Sequence, residues 1–270
     1  MLDDIIVLIT EHGMVALYPI LIFSILRPLG LLAGFIAISW AMRGAQVLRI
    51  SIAFCLALPM LPAHHNAFET LVLVGPLTEK LWITLKEFVI GYALGLLASL
   101  PFLALQYAGA ITDAFRGENN STTTDPTGGT LTTFSVAYLV VGFFAFFSFG
   151  GFEKLIENLY ATYVIWPIGA MIPMLNETAA THAVELLTRS LVMAFRIALP
   201  LLALLVMIEL SVAVAARLGR RFNFYNLAFP LRNLAAVVTL PLIMWLIWQG
   251  SDQIVGQSRD ALPELGLFVR

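Results

Sequence analysis

Residues 88–112 read FVIGYALGLLASLPFLALQYAGAIT and residues 113–130 read DAFRGENNSTTTDPTGGT, so a stretch without charge runs directly into one that is almost wholly polar. The second stretch cannot lie against lipid, because its backbone amides would lack hydrogen-bond partners there, at a cost of several kcal/mol each. Residues 131–152 are again free of charge. Loops longer than about 12–15 residues are uncommon unless they are functional or disordered. We therefore take residues 113–130 as the first candidate for a functional part.

The composition of the 270-residue chain is typical of a membrane protein. Hydrophobic residues make up 60% of it and charged residues 12%, against about 25% charged in an average soluble domain. The apolar runs are continuous, which favours helices over the alternating strands of a β-barrel. The net charge of −2 offers no electrostatic footprint for nucleic acid. We predict an all-α, polytopic membrane protein of kinked helices and helical hairpins, with no nucleic-acid partner.

Apolar stretches recur along the chain, and several are shorter than the roughly 20 residues of a straight bilayer span. They fall at 13–26, 28–42, 50–63, 88–112, 131–152, 158–176, 197–216 and 233–249. Most contain proline, which removes an amide donor and kinks or ends a helix. Such kinks are tolerated in membranes where neighbouring helices, side chains or water satisfy the freed carbonyls. The pattern predicts broken helices packed against partners, with Gly91-x-x-x-Gly95 permitting a close helix contact.

Charged residues within or beside the apolar runs are a second group of candidates. A charge at the centre of a membrane helix costs about 2.5–3.5 kcal/mol on insertion scales, so such residues usually face a protein interior or a water-filled cavity. The residues singled out as inter-subunit or intramembrane charges are Lys86, Glu87, Arg196 and Glu209. Glu11, Arg27 and Arg189 belong to the same class. Snorkelling to the interface, or a structural ion pair with another helix, is the alternative interpretation.

A basic cluster surrounds the connection between the last two apolar stretches. It consists of Arg217, Arg220, Arg221 and Arg232. The positive-inside bias predicts that this connection is a cytoplasmic turn.

We find no pattern for a catalytic, cofactor or metal site. The phosphate-binding run Gly-x-x-x-x-Gly-Lys-Ser/Thr is absent from the sequence, and the adjacent His64 and His65 have no Cys, Asp or Glu at ligand spacing. The polar stretch holds three carboxylates and one arginine, namely Asp113, Arg116, Glu118 and Asp125. No serine or cysteine stands beside a histidine there to act as a nucleophile. An ion pair between Asp113 and Arg116 that holds the loop where it leaves its helix explains these residues more simply than a hydrolytic site does. We therefore predict that the protein is not an enzyme.

Two ordered blocks of residues carry a family resemblance. The first block is Lys86-Glu87-Phe88, Ile90-Gly91, Gly95, Leu100-Pro101-Phe102, Gly109, Asp113-x-x-Arg116-Gly117 and Asp125-Pro126, and the second is Glu209-Leu210, Arg217, Asn223 and Pro230-Leu231-Arg232. Together they resemble the SctT family of type III secretion export-apparatus proteins, the injectisome relatives of flagellar FliR. Arg220-Arg221 stands where that family usually has Pro-Gln, and Arg232 replaces its customary lysine. The Asp-x-x-Arg-Gly run resembles the injectisome branch more than the flagellar one.

The resemblance implies a single-copy subunit of an export gate in the bacterial inner membrane, partly raised toward the periplasm. It implies a helical assembly with several copies of SctR and SctS, through which unfolded secreted polypeptides pass. SctU would associate around it, with SctV and other secretion-system components as further partners. No cofactor is implied. The implied regions are 1–112, similar to SctR, a plug loop over 113–130, middle helices over 131–189, and a C-terminal hairpin over 190–270 that is similar to SctS.

The implied site residues belong to the loop that helps to plug the conduit at rest and to the cytoplasmic hairpin turn. The loop residues are Asp113, Arg116, Gly117, Glu118, Asn119, Asn120, Ser121, Thr122, Thr123, Thr124, Asp125, Pro126, Thr127, Gly128 and Gly129. The turn residues are Arg217, Arg220, Arg221, Asn223 and Arg232.

Other functional classes stay open at this point. A flagellar FliR-type subunit is the alternative within the same family. A small-solute or ion transporter would use Asp113, Arg196 and Glu209 along a path with broken helices at its binding site. The transporter hypothesis explains the intramembrane charges, but it explains neither the long polar loop nor the ordered motifs. A membrane-embedded enzyme is disfavoured by the missing nucleophile and metal ligands.

Overall fold

The computed structural model of the chain describes residues 14–42, 44–60, 77–117, 123–124, 130–168, 179–218 and 225–249. Almost all of these residues are helical, which confirms the all-α prediction. The helices are α1 (Met14–Gly34), α2 (Ile36–Ala41), α3 (Gln46–Ala57), α4 (Leu77–Arg116), α5 (Thr133–Ser148), α6 (Gly151–Ile165), α7 (Ala179–Leu218) and α8 (Tyr225–Gln249), with a short 3₁₀ turn at Leu58–Met60. Two short strands, β1 (Thr123–Thr124) and β2 (Thr130–Leu131), pair antiparallel.

Three of the described helices are long and apolar enough to cross a membrane. These segments are Lys80–Arg116 in α4, Val184–Arg217 in α7 and Pro230–Gln249 in α8. Helices α5 and α6 meet at a bend of 71° and would count together as a fourth span. Gly150, whose φ is 71°, stands at this bend, as expected of a Gly-Gly turn. The described part of the chain is therefore polytopic by length and composition.

The helices continue through several prolines, and this is the main difference from the predicted segments. Helix α1 runs through Pro28, where the apolar pattern indicated a boundary, and α4 and α7 run through Pro101 and Pro200. Helix α4 also extends beyond the predicted apolar segment at both ends. The physical reason is that the charged residues directly flanking the apolar segment are paired inside the protein, so the helix need not stop where those charges begin.

The described residues form two compact units. The first contains the described residues up to Ser99 together with those between Phe152 and Ala183, and the second contains those from Leu100 to Gly151 and from Val184 onward. Helix α4 contributes its first part to the first unit and its second part to the second. These units are interleaved along the chain, whereas the regions inferred from the resemblance follow one another in sequence.

In the first unit, α1 and α4 approach each other through glycines on both helices. The glycines are Gly30 and Gly34 on α1, and Gly91 and Gly95 on α4. A Cβ atom added at any of the four would collide with the backbone of the facing helix. Small residues at this spacing are what allow two membrane helices to come into backbone contact. The close contact predicted from Gly91-x-x-x-Gly95 is confirmed.

In the second unit, the end of α4 packs against α5, and α5 contacts α8. The rings of Phe102 and Phe146 meet edge to face with centroids 5.3 Å apart, a favoured arrangement for aromatic pairs. Gly109 lies so close to the backbone of Ser135 that a Cβ would collide with it. At the far end of α5, Phe149 lies against Trp248 with ring centroids 5.2 Å apart.

Candidate functional site

The first unit contains a buried charge cluster centred on Arg27. The Arg27 Nε atom donates to Glu87 Oε2 at 2.8 Å, and its two terminal nitrogens donate to Thr162 Oγ1 at 3.0 Å and to the Trp166 carbonyl oxygen at 2.9 Å. The guanidinium also lies over the ring of Tyr163, 4.0 Å from its centroid. Arg27 and Glu87 are completely buried. One side chain therefore ties together α1, α4 and the end of α6.

Lys86 is the second cation of this cluster. Its Nζ atom lies 3.1 Å from Glu87 Oε1 and donates to the carbonyl oxygens of Pro167 and Ile168. Two cations thus share one carboxylate, and backbone carbonyls just beyond α6 solvate the excess positive charge. Buried charges of this kind are tolerable only when they are both paired and hydrogen-bonded. The sequence identified Lys86 and Glu87 as special, and the structure engages both within the chain.

The second unit contains a charge cluster at the base of the polar loop. The Asp113 carboxylate is fully buried. Its Oδ1 atom accepts from Arg116 at 2.7 Å, and its Oδ2 atom accepts from the backbone amide of Phe134 at 2.7 Å. Arg116 belongs to the last turn of α4, whereas Phe134 belongs to the first turn of α5. The predicted ion pair is present, and the same carboxylate caps the helix that follows the loop.

Arg116 extends this cluster to the last helix. Its Nε atom donates to Asn233 Oδ1 at 3.0 Å, and its guanidinium lies 4.5 Å from the centroid of the Phe134 ring. Next to Asn233, Arg232 donates to the Phe115 carbonyl oxygen at 3.3 Å. A cation at the carboxyl end of a helix also interacts favourably with the helix dipole. The start of the polar loop is therefore attached to α8.

Gly117 marks the point at which α4 ends. Its φ is 80°, a left-handed conformation that glycine adopts without strain, and its amide donates to the Ala114 carbonyl oxygen at 3.2 Å. The first turn of the predicted loop, Asp113–Arg116, is thus helical. Farther on, β1 and β2 pair so that Thr123 faces Leu131. The loop residues Glu118, Asn119, Asn120, Ser121, Thr122, Asp125, Pro126, Thr127, Gly128 and Gly129 lie outside the described residues.

Arg196 and Glu209 lie on the exposed surface of α7. The buried stripe of this helix consists of Ala194, Ala198, Leu201 and Leu205. At about 100° per residue, Arg196 points about 170° away from this stripe and Glu209 about 50° away. Within the described part of the chain, neither side chain has a hydrogen bond or ion pair. The two charges thus face different directions within an apolar span.

Of the predicted turn residues, the structure describes the side chains of Arg217 and Arg232. Arg217 is exposed near the end of α7, while Arg232 is half-buried against the end of α4. Arg220, Arg221, Asn223 and the pair His64–His65 lie outside the described residues. Among the residues that are described, no three His, Cys, Asp or Glu side chains come close enough to hold a metal ion.

Sequence reasoning missed the partners that complete both clusters. The sequence indicates Arg27 only as a charge beside an apolar run, and it gives no signal for Thr162 or Asn233. One signal is available for Arg27, because it stands three residues before the glycine pair of α1 and Glu87 stands four residues before that of α4. Opposite charges at matching places beside two small-residue pairs indicate helices that pack with those charges together. Hydrogen bonds to backbone carbonyls leave no comparable trace in a sequence.

Comparisons with known proteins agree with these features. Residues 19–258 match the family of bacterial export proteins, family 1. The chain is 29% identical over 245 residues to the Yop proteins translocation protein T of Yersinia pestis, an alignment covering 84% of this chain and 86% of the relative. It is 25% identical over 219 residues to the secretion system apparatus protein SsaT of Salmonella typhimurium, covering 80% and 83%. It is 24% identical over 222 residues to the flagellar biosynthetic protein FliR of Pectobacterium carotovorum, covering 80% and 82%.

The family model spans most of the chain, and it includes both buried charge clusters and the polar loop between α4 and α5. The predicted resemblance is therefore confirmed: this integral membrane chain belongs to the bacterial export protein family 1, the SctT/FliR family of type III export-apparatus proteins.

Proposed function

We propose that this chain is the single-copy subunit of a type III secretion export gate in the bacterial inner membrane. With SctR and SctS it would form the conduit for unfolded secreted polypeptides, with SctU, SctV and other secretion-system components as further partners. The family membership supports the general role. Many apolar side chains of α7 and α8 are exposed within the chain. Such surfaces mark contacts with lipid or protein, so they support assembly with other subunits.

The injectisome branch is our choice over the flagellar one. The Yersinia translocation protein T shares 29% identity with this chain, and the Pectobacterium FliR shares 24%. The Asp113-x-x-Arg116-Gly117 run, now located at the base of the loop, supports the same branch. Under this proposal the basic turn after α7 faces the cytoplasm, and the assembled gate stands partly raised toward the periplasm.

The polar loop that follows Arg116 is, in our proposal, a plug that closes the conduit at rest. The observation that carries this proposal is the double anchoring of Asp113, whose carboxylate bonds both the helix before the loop and the helix after it. A secretion conduit must pass unfolded chains and yet hold back ions. A loop rich in Ser, Thr and Gly, fixed at both ends of its base, can swing aside without breaking a packed core.

Deleting residues 118–129 tests the plug, because it removes the loop and leaves Asp113, Arg116 and Phe134 in place. We expect a clear increase in resting ion leakage across the membrane of cells that express the complete secretion system, measured as conductance or as dye uptake. Replacing the same residues by a Gly/Ser linker of equal length is the matched control for loop length. Leakage equal to that of the wild type, with the gate assembled, would contradict the plug.

A further inference from the structure

The two ends of the polar loop meet at a single side chain. Asp113 accepts one hydrogen bond from Arg116 in α4 and another from the Phe134 amide in α5. Arg116 in turn contacts the Phe134 ring. The base of the loop is thus closed by a charged group that is shielded from solvent, where hydrogen bonds to charge are strongest.

The same base is attached to α8 by two neighbouring residues. Asn233 accepts from Arg116 Nε at 3.0 Å, and Arg232 donates to the Phe115 carbonyl oxygen at 3.3 Å. Both contacts lie in the last turn of α4, immediately before the loop. A displacement of α8 along its axis would pull on Arg116, and through Arg116 on the carboxylate that holds both loop ends.

Asn233 is neutral, which separates it from the rest of the cluster. If its amide is removed, the Asp113–Arg116 ion pair remains intact, so no buried charge is left without a counter-charge. Removing Asp113 or Arg116 instead would strand a buried charge and damage the fold itself. Asn233 is therefore the residue at which the contact between Arg116 and α8 can be cut selectively, while the contact of Arg232 with Phe115 remains.

We propose that Asp113, Arg116 and Asn233 form a latch that couples the base of the polar loop to α8, so that loss of the contact with α8 loosens the two helix ends at that base. The functional role of the latch rests on the proposed plug, but the contacts that form the latch can be tested separately. In this view Asn233 is a positioning residue that acts through Arg116. Under this proposal, contacts made by α8, whose surface is largely exposed, affect the base of the polar loop.

Asn233→Leu tests the latch, with a buried thiol as the reporter of local opening. In a Cys55→Ala background, Ser135→Cys places the thiol at a buried site beside Phe134, and Ser99→Cys places a matched thiol at a buried site in the first unit. Both are treated with methyl methanethiosulfonate in membranes containing the whole secretion system. We expect Asn233→Leu to speed labelling at position 135 about tenfold, equivalent to ~1.4 kcal/mol in the local opening equilibrium, and to leave position 99 unchanged.

Two further variants sharpen the result. Asn233→Asp keeps an oxygen acceptor for Arg116 and should return labelling at position 135 to within about twofold of the wild-type rate. Gln249→Leu, which also replaces a side-chain amide by leucine but at an exposed residue of α8, should have no effect. If Asn233→Leu labels position 135 at the wild-type rate, or accelerates both positions equally, the latch is wrong. If Asn233→Leu fails to assemble, Asn233→Ala removes the same acceptor with a smaller side chain, and its labelling at positions 135 and 99 is judged by the same criteria.

Failure of the latch and failure of the plug are distinguishable. Faster labelling in Asn233→Leu together with unchanged leakage in the 118–129 deletion would support the latch and contradict the plug. Increased leakage in the deletion, with labelling unaffected by Asn233→Leu, would contradict the latch and leave the plug standing.

Discussion

Arg27 uses its guanidinium group in three directions at once. Its donors reach a carboxylate on α4, a hydroxyl on α6 and a backbone carbonyl beyond α6, and one face lies against Tyr163. Only a planar fork with several fixed donors can make this set of contacts, since a lysine presents a single point charge on a flexible stem. The same side chain shares with Lys86 the neutralisation of the buried Glu87 carboxylate. At the residue scale, the first unit therefore depends on one arginine.

Arg27→Ala is expected to destabilise the first unit by about 2–6 kcal/mol, because it leaves Glu87 Oε2 and the Trp166 carbonyl oxygen without their buried donor, at about 1–3 kcal/mol for each group. Lys86 still supplies a counter-charge for Glu87 in this variant. Arg27→Lys should recover only part of this loss. The measurement is the apparent free energy of unfolding in a denaturing-detergent titration of the purified protein. Lys154→Ala is the control in the same unit, since Lys154 pairs with Glu157 on the surface, and exposed pairs contribute about 0–1 kcal/mol. A loss below 1 kcal/mol for Arg27→Ala would contradict the role assigned to it.

At the scale of elements, the contact between α1 and α4 depends on four glycines, which have no Cβ atom to keep the helices apart. The glycines at 30, 34, 91 and 95 let each backbone approach the other until an added Cβ would collide with it. This approach is also what brings Arg27 within hydrogen-bond distance of Glu87. Helix packing and charge pairing therefore depend on each other, and neither would survive a wider separation of the helices.

Gly91→Ala should push α1 and α4 apart and destabilise the protein by about 1–3 kcal/mol, the usual cost of overpacking a tight interior. Val89→Ile provides the matched control, because it adds a single carbon to α4 at a residue that is 52% exposed. The same detergent titration measures both variants. Equal stability of the two would show that the glycine contact is looser than described.

At the scale of the molecule, burial is unevenly distributed among the candidate spans. The most apolar window of α4 is 56% buried within the chain, whereas those of α7 and α8 are 28% and 18% buried. Lipid can cover apolar side chains without penalty, but it cannot cover Arg196 or Glu209 at the same depth. These two residues point in different directions from α7, so a protein that satisfies both must offer contacts on two sides.

Arg196→Ala and Glu209→Ala are each expected to weaken assembly, because each removes a charge that we predict faces a neighbouring subunit. The readout is the amount of partner protein that co-purifies with the tagged chain. Arg189→Ala is the control, since Arg189 already pairs with Glu185 one turn earlier on the same helix. If both alanine variants assemble as well as the wild type, this placement is wrong.

Local patterns made the helical class and the Asp113–Arg116 pair predictable. The apolar runs fix the membrane class, and an acid three residues before an arginine at a helix end can pair within one turn. The ends of α4 were not predictable in the same way. Lys86 and Glu87 stay inside the helix because Arg27, 60 residues before Glu87, and carbonyls beyond α6 satisfy them. The role of Asn233 was not predictable, because nothing near it in sequence indicates that its partner is Arg116, 117 residues away.

Helices α4 and α7 each contain 40 residues, which corresponds to a contour length of about 60 Å at 1.5 Å per residue. The hydrocarbon layer of a bilayer is only about 30 Å thick. The candidate spans within these helices contain 37 and 34 residues, so a helix lying along the membrane normal carries apolar residues beyond the hydrocarbon layer. Those apolar residues contact neither lipid tails nor a favourable polar environment, so we expect other protein chains to cover them.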